Sequence, residues 1–214
     1  MDIITKLRRA RWHFIERRKI KREVNAAALR GKIKVIVGAG STGYSGWIKT
    51  DYPFFNLLNS RHWEYIFSND KKVDNFLAEH VFEHFTESQI QFILKKAVEF
   101  MKKGGCFRIA VPDGFHPDKK YIDYVKPNGS GPGSDDHKVL LNYKCLSDIL
   151  RNCGLEPRLV EYWNENGDFQ GWESEDENGH IMRVMRNQND SAKKDQRGFF
   201  YTSLVIDGIK NKNF

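Results

Sequence analysis

The chain has 214 residues, is 40% hydrophobic and 29% charged, and carries a formal net charge of +7. That length suits one domain with a substantial buried core, and the apolar content excludes a disordered chain. No apolar run reaches the roughly 18 residues that a membrane-spanning helix needs.

The positive charge sits at one end. Residues 1–32 hold eleven Lys and Arg against three acids (Asp2, Glu16, Glu23), which is +8; the other 182 residues hold 24 basic and 25 acidic groups, which is −1. A neutral body argues against a nucleic-acid-binding domain, whose basic face would run through the fold, so no nucleic acid is expected as a partner. The N-terminus lacks the continuous apolar core of a secretory signal, and its similarity to an organelle transit peptide ranks below a cytoplasmic reading. Cys106, Cys145 and Cys153 are far apart with no CxxC pairing. This predicts reduced thiols acting as small core hydrophobes rather than disulfides or zinc ligands.

In chain order, residues 1–31 predict one basic amphipathic helix, with Ile3, Leu7, Ala10 and Phe14 at helical spacing beside Ile4 and Ile15, and with Gly31 as the stop. This segment is set apart from a second unit, residues 32–214. "KIKVIVGAG" (32–40) predicts a buried strand closed by glycines, "GWIKTD" (46–51) a second strand and "VDNFLAEH" (73–80) a third. A long amphipathic helix follows over 83–105, opened by Glu83 and His84 and ended by Gly104-Gly105. "CFRIAVPDG" (106–114) is the next strand, 142–155 the next helix, and 158–163 and 199–209 the last strands. Alternating strands and helices predict a mainly parallel α/β sheet covered on both faces. The last two strands, with no helix between them, are placed to pair as an antiparallel edge. The polar connection of about 35 residues between them is of the length usually found in functional or mobile loops.

Gly38, Gly40 and Gly43 directly follow the first strand and fit Gly-x-Gly-x-x-Gly, a weak signal on its own. A dinucleotide site also wants a helix next and an acid about 20 residues on. Asp51 follows Gly43 by only eight residues, and no full crossover helix fits between them. A nucleoside lying across the glycine turn, with its ribose on Asp51, remains open beside a plain turn with a solvated aspartate. His80, Glu83 and His84 form His-x-x-Glu-His, but a metallopeptidase needs both histidines within one helix. Here His80 ends a strand, at the edge where open α/β sheets bind ligands, and no ligand set strong enough to require a metal is visible. Asp113 ends the next strand, and His116 and His137 lie on loops that converge on the same edge. A packing or capping role for His84 stays open.

Taken together, "KVIVGAG…GWIKTD", "VDNFLAEHVFEHFT", "LKKAVEFMKKGGCFRIAVPDGFHPD", "DDHKVLLNY" and "FYTSLVIDGIK" resemble a family of predicted bacterial class I S-adenosylmethionine-dependent methyltransferases, over roughly residues 32–210. The resemblance implies a Rossmann-like seven-stranded sheet with an antiparallel last hairpin and helices on both faces. It implies S-adenosyl-L-methionine as cofactor, with its methionine tail over Gly38, Ala39 and Gly40, its ribose at Asp51 and its methyl-bearing end near Glu79 and His80. Two features depart from the family: the helix after the glycine loop is nearly absent, and Asn56 and Asn59 stand where an acid often meets adenine. The family supplies no substrate. The expected reaction is methyl transfer to a small molecule or saccharide, such as a bacterial surface polysaccharide or its lipid-linked precursor. His80 is the first candidate for the base, with His84, Asp113 and His137 as orienting or alternative groups. A non-catalytic, methyltransferase-like module at a membrane surface and a nicotinamide-dependent enzyme are the alternatives. Residues 1–30 are expected to dock on an anionic membrane, on the domain itself or on a second subunit of a homodimer.

Overall fold

The computed structural model describes residues 3–67, 72–171, 176–183 and 200–211. Its strands are β1 (Lys34–Val37), β2 (Ile48–Lys49), β3 (Val73–Glu79), β4 (Met101–Pro112), β5 (Leu155–Trp163), β6 (Phe169–Gly171) and β7 (Ser203–Lys210). Its helices are α1 (Ile3–Leu29), α2 (Ser60–Ile66), α3 (Glu87–Phe100), α4 (Lys119–Val125) and α5 (Tyr143–Asn152). The strands form one sheet in the order β2-β1-β3-β4-β7-β5-β6. β1 pairs in parallel with both β2 and β3, and β3 with β4. β7 is antiparallel to both of its neighbours, β4 and β5, and β6 is antiparallel to β5. Five strands therefore share one direction, and the order is Rossmann-like.

The predicted final pair does form, from Leu155↔Lys210 to Glu161↔Val205. It is not at the sheet edge, however. β7 inserts between β5 and the long β4, which it matches from Cys106↔Ile209 to Pro112↔Ser203. The edge beyond β5 belongs to the short β6, which lies inside the connection read as a loop, and Phe199 falls outside the described residues. The chain leaves β1 outward to β2 and returns past it to β3, so a topological switch point lies at the carboxyl ends of β1 and β3. Ligands bind at such crevices in open α/β sheets.

The described helices are unevenly divided between the two faces of the sheet. The pleat sends alternate side chains to opposite faces. On one face, Val35, Val37, Phe76, Phe107, Ile109, Leu204 and Ile206 join one core with residues of α1, α2, α3 and α5. On the other, Ile36, Leu77, Ala110 and Val205 pack, among the described residues, against Ile181, Tyr44 and Trp47. No helix forms between β1 and β2 to cover that face. Arg108 closes part of it: buried itself, it donates to both oxygens of buried Asp207 (2.7 and 2.9 Å), to Asp176 (2.8 Å) and to the carbonyl of Gly179 (2.7 Å). A charge-assisted fork of this kind fixes geometry strongly.

Local chemistry moves other boundaries. Thr86 accepts from Gln89 N and the Gln89 side chain accepts from Thr86 N, a capping box that starts α3 at Glu87. Glu83 and His84 consequently lie in a separate 3-10 turn, Phe82–His84, rather than opening the helix. The helix also ends before the glycine pair, because the chain is already extended at Met101, where β4 begins. Two short helices, α2 and α4, went unforeseen; Asn59 and Asp118 cap them. Cys106 and Cys153 are buried as expected, but Cys145 faces solvent in the first turn of α5.

In α1 the buried stripe is Ile20, Val24 and Ala27, which joins the helical-face core. The predicted stripe lies in the other half, where Leu7, Phe14 and Ile15 are exposed. Spacing alone does not say which half meets the sheet. No helix among the described residues is long and apolar enough to cross a membrane.

Candidate functional site

Two clefts open near the carboxyl ends of the parallel strands. The first, of about 480 Å³, is lined by Ala39, Gly40, Thr50, Asp51, Trp47, Lys49 and Phe54. Gly38 and Gly40 turn through left-handed backbone (φ 62° and 50°), and a Cβ on Gly38 would meet Val81 Cγ2 at 2.5 Å. Only glycine satisfies both demands at position 38. Asp51 Oδ2 accepts from Gly40 N at 2.8 Å, and Oδ1 accepts from Tyr52 N at 2.8 Å. Each carboxylate oxygen keeps a further lone pair for a ligand. The two residues predicted from the glycine turn and its acid thus come together.

The other wall of this cleft was not foreseen. It is α1, which contributes Glu16, Lys19, Ile20 and Glu23. The one available sequence signal was that Glu16 and Glu23, the two acids within that basic helix, lie seven residues apart on one face. Asn56 and Asn59 do not line the cleft; their side chains accept from Leu58 N and Arg61 N and are spent on local capping.

The second cleft, of about 200 Å³, is lined by His80, Glu83, His84 and His137 with Tyr124, Tyr201 and Arg183 among others. Its histidines are not equivalent. His80 adopts left-handed backbone (φ 54°), and its side chain is 6% exposed. Its Nδ1 lies 3.0 Å from Glu83 Oε1, and its Nε2 lies 2.9 Å from Ser203 Oγ. Both ring nitrogens of His80, the first candidate for the base, are therefore engaged by protein groups and little exposed. His137 donates from Nδ1 to Val125 O (2.6 Å), which leaves Nε2 with its lone pair. His84 packs edge-on against it with ring centroids 4.9 Å apart. Burial alone would raise the carboxyl pKa of Glu83, but the charge and hydrogen bond of His80 outweigh it and hold the group below its usual range.

Three expected site residues serve elsewhere. Asp113 is fully buried, and its oxygens accept from Phe115 N (2.9 Å) and Trp163 N (2.8 Å), tying β4 to the end of β5. Burial raises its pKa to about 6. Glu79 accepts from Met182 N and Arg183 N (3.2 and 2.9 Å), so its carboxylate anchors the 176–183 segment. His116 stacks on Tyr121 at 3.9 Å, with Nε2 facing Phe200 O and Nδ1 accepting from Asp118 N.

No protein-family model matches the chain, and no curated protein matches it in sequence. Solved structures that align with it include three methyltransferases. One is a SAM-dependent methyltransferase from Archaeoglobus fulgidus (16% identical, 91% of this chain and 94% of that one, TM-score 0.47). Another is an O-methyltransferase family protein from Burkholderia thailandensis (10%, 95% and 59%, TM-score 0.47). A third is magnesium protoporphyrin IX methyltransferase from Synechocystis PCC 6803 with bound SAH (9%, 92% and 84%, TM-score 0.44). Identities this low carry no inference about shared activity.

The environment of His116 makes a pH prediction. Burial lowers its pKa from 6.5 to about 4, so the folded protein holds it neutral where the unfolded chain takes up a proton. Its contribution is present above pH 6.5 and is lost as pH falls toward 4, by about 2–3 kcal/mol. Asp113 acts with the opposite sign, stabilising below about pH 4 and losing that contribution as pH rises through about 6. Urea unfolding at pH 7 and pH 4.5 should therefore show a smaller acid loss in His116→Gln than in the wild type. Equal losses would remove His116 from the acid response.

Proposed function

We propose that the chain transfers a methyl group from S-adenosylmethionine to a hydroxyl of a small-molecule or saccharide acceptor. The observation that carries this reading is the character of the first cleft. Asp51, Glu16 and Glu23 outnumber Lys19 and Lys49 there, and Trp47 and Phe54 add aromatic walls. Excess carboxylate suits a sulfonium and repels a diphosphate. No helix follows Gly38, Gly40 and Gly43 through Trp47, so the helix N-terminus on which a dinucleotide's pyrophosphate rests is missing. Both features favour the methyl donor over a nicotinamide cofactor. The residues fit it: ribose hydroxyls donate to Asp51, a purine stacks on Trp47 or Phe54, and Gly38 to Gly40 let the backbone come close to the amino-acid tail.

When bound, S-adenosylmethionine supplies an electrophilic methyl. The protein aligns the acceptor oxygen with it and provides for the hydroxyl proton. That second task falls to the second cleft, where Glu83, His84 and His137 come together, while His80 holds Glu83 in place. Asp51→Ala should weaken S-adenosylhomocysteine binding roughly tenfold to a hundredfold, the effect of losing a charge-assisted hydrogen bond of about 1.5–3 kcal/mol. Unchanged affinity in the folded variant removes Asp51 from the site.

A second reading, attachment to an anionic membrane, is favoured by one observation. Leu7, Trp12, Phe14 and Ile15 are all at least half exposed on the Arg-rich half of α1. Aromatic and aliphatic groups among cations suit insertion at headgroup level. Replacing Trp12 and Phe14 by Ser spares the buried Ile20, Val24 and Ala27. Liposome flotation at low salt should recover the wild type with anionic vesicles and lose most of the double variant; equal recovery of the two contradicts attachment through α1.

A further inference from the structure

The turn after β3 holds a carboxylate whose burial the surrounding protein only half compensates. Glu83 is 2% exposed. Its Oε1 meets His80, but its Oε2 is buried and, among the described residues, has no hydrogen-bond partner. Nδ1 of His84 is likewise buried and, among the described residues, has only the Asp136 carboxylate near it, at 3.4 Å and outside good hydrogen-bond geometry. Buried polar atoms are normally satisfied, so the unpaired Oε2 and the poorly paired Nδ1 ask for a missing partner.

His137 completes the arrangement. One ligand atom from each of Glu83, His84 and His137 lies within 4.8 Å of the other two. The loop that carries His137 is pinned to the turn itself: Lys138 N and Val139 N donate to the Glu83 carbonyl (2.7 and 3.4 Å). Donation from His137 Nδ1 to the Val125 carbonyl sets the tautomer that leaves Nε2 free. Metal-binding histidines are oriented by this kind of second hydrogen bond.

We propose that Glu83, His84 and His137 bind a divalent transition-metal ion, zinc first among them. Two imidazoles and one carboxylate suit zinc with an open coordination position. Magnesium and calcium prefer an all-oxygen shell. Around tetrahedral zinc at 2.0–2.1 Å the ligand atoms stand about 3.4 Å apart, so the set closes by roughly an ångström on loading. His84 has room to move, with its side chain 34% exposed. The site differs from the His-x-x-Glu-His peptidase pattern, since His80 is turned to Ser203 and the third ligand comes from a distant loop.

The ion's consequence for chemistry rests on the methyl-transfer reading. An acceptor hydroxyl at the open position has its pKa lowered by the ion. Its proton leaves to solvent, the oxygen forms a bond to the methyl carbon, and the carbon–sulfur bond breaks with its electron pair going to sulfur.

Binding is measurable without turnover. Full-length protein stripped with a chelator is titrated with Zn²⁺ by calorimetry and with Co²⁺ by visible absorption. The expected result is one ion per chain, with affinity reduced at least roughly tenfold in His84→Ala and in His137→Ala and unchanged in Cys145→Ser, which removes the exposed thiol. These histidines are only partly buried, so the test does not depend on whether Glu83→Gln folds. No saturable binding, binding that survives both histidine variants, or binding lost with Cys145 overturns the proposal. S-adenosylhomocysteine titrations of the same samples report separately on the first cleft, so either idea can fail alone.

Discussion

The organisation of the site depends on the buried carboxylate of Glu83. Its side chain holds His80, and His80 reaches Ser203 at the start of β7. Its backbone carbonyl holds the loop behind His137. One residue thus ties the end of β3, the antiparallel strand and the 134–139 loop around a single small cleft. Burying a carboxylate is costly unless nearby groups compensate its charge. That cost explains why three imidazoles gather there, and why Glu83 stays ionised despite its burial.

The short connection between β1 and β2 has consequences on both sides of the sheet. Without a crossover helix, one face is sealed by Ile181, Tyr44 and Trp47 and by the Arg108–Asp207 fork. The same shortness puts Asp51 within hydrogen-bond reach of Gly40, only eleven positions earlier. The compact turn leaves space above it, and α1 fills the far side of that space with Glu16, Lys19 and Glu23. The N-terminal helix is therefore part of the cleft as well as of the core. Both acids of the helix face the cleft, together with Lys19, and most of its other cations lie elsewhere.

Much of this was legible in the sequence because it is local. β-branched runs closed by glycine marked β1, and the absence of a helix after it followed from chain length alone. The nearness of Asp51 to the glycine turn was one of two readings left open by the sequence, the other being a solvated aspartate. What was not legible is non-local or depends on a competing cap. Thr86 and Gln89 set the start of α3 and so moved Glu83 and His84 into a turn of their own. Asp113 and Glu79 lie at strand ends, as expected, but backbone N–H groups from distant segments consume their oxygens. His80 lies at the end of β3, as expected, yet its ring nitrogens meet Glu83 and Ser203, the latter 123 residues away, which no local pattern reveals. The buried stripe of α1 was misplaced because an Arg-rich helix with apolar residues in both halves gives no sign of which half meets the sheet.

The nature of the ligand in the first cleft decides most of what is proposed. Calorimetric titration of the full-length protein with S-adenosylmethionine, S-adenosylhomocysteine and NAD tests it most directly. One site per chain for both sulfur ligands, with no heat of binding from NAD, is the predicted result. Binding of NAD with neither sulfur ligand bound, or no binding of any of the three by the folded protein, would contradict it.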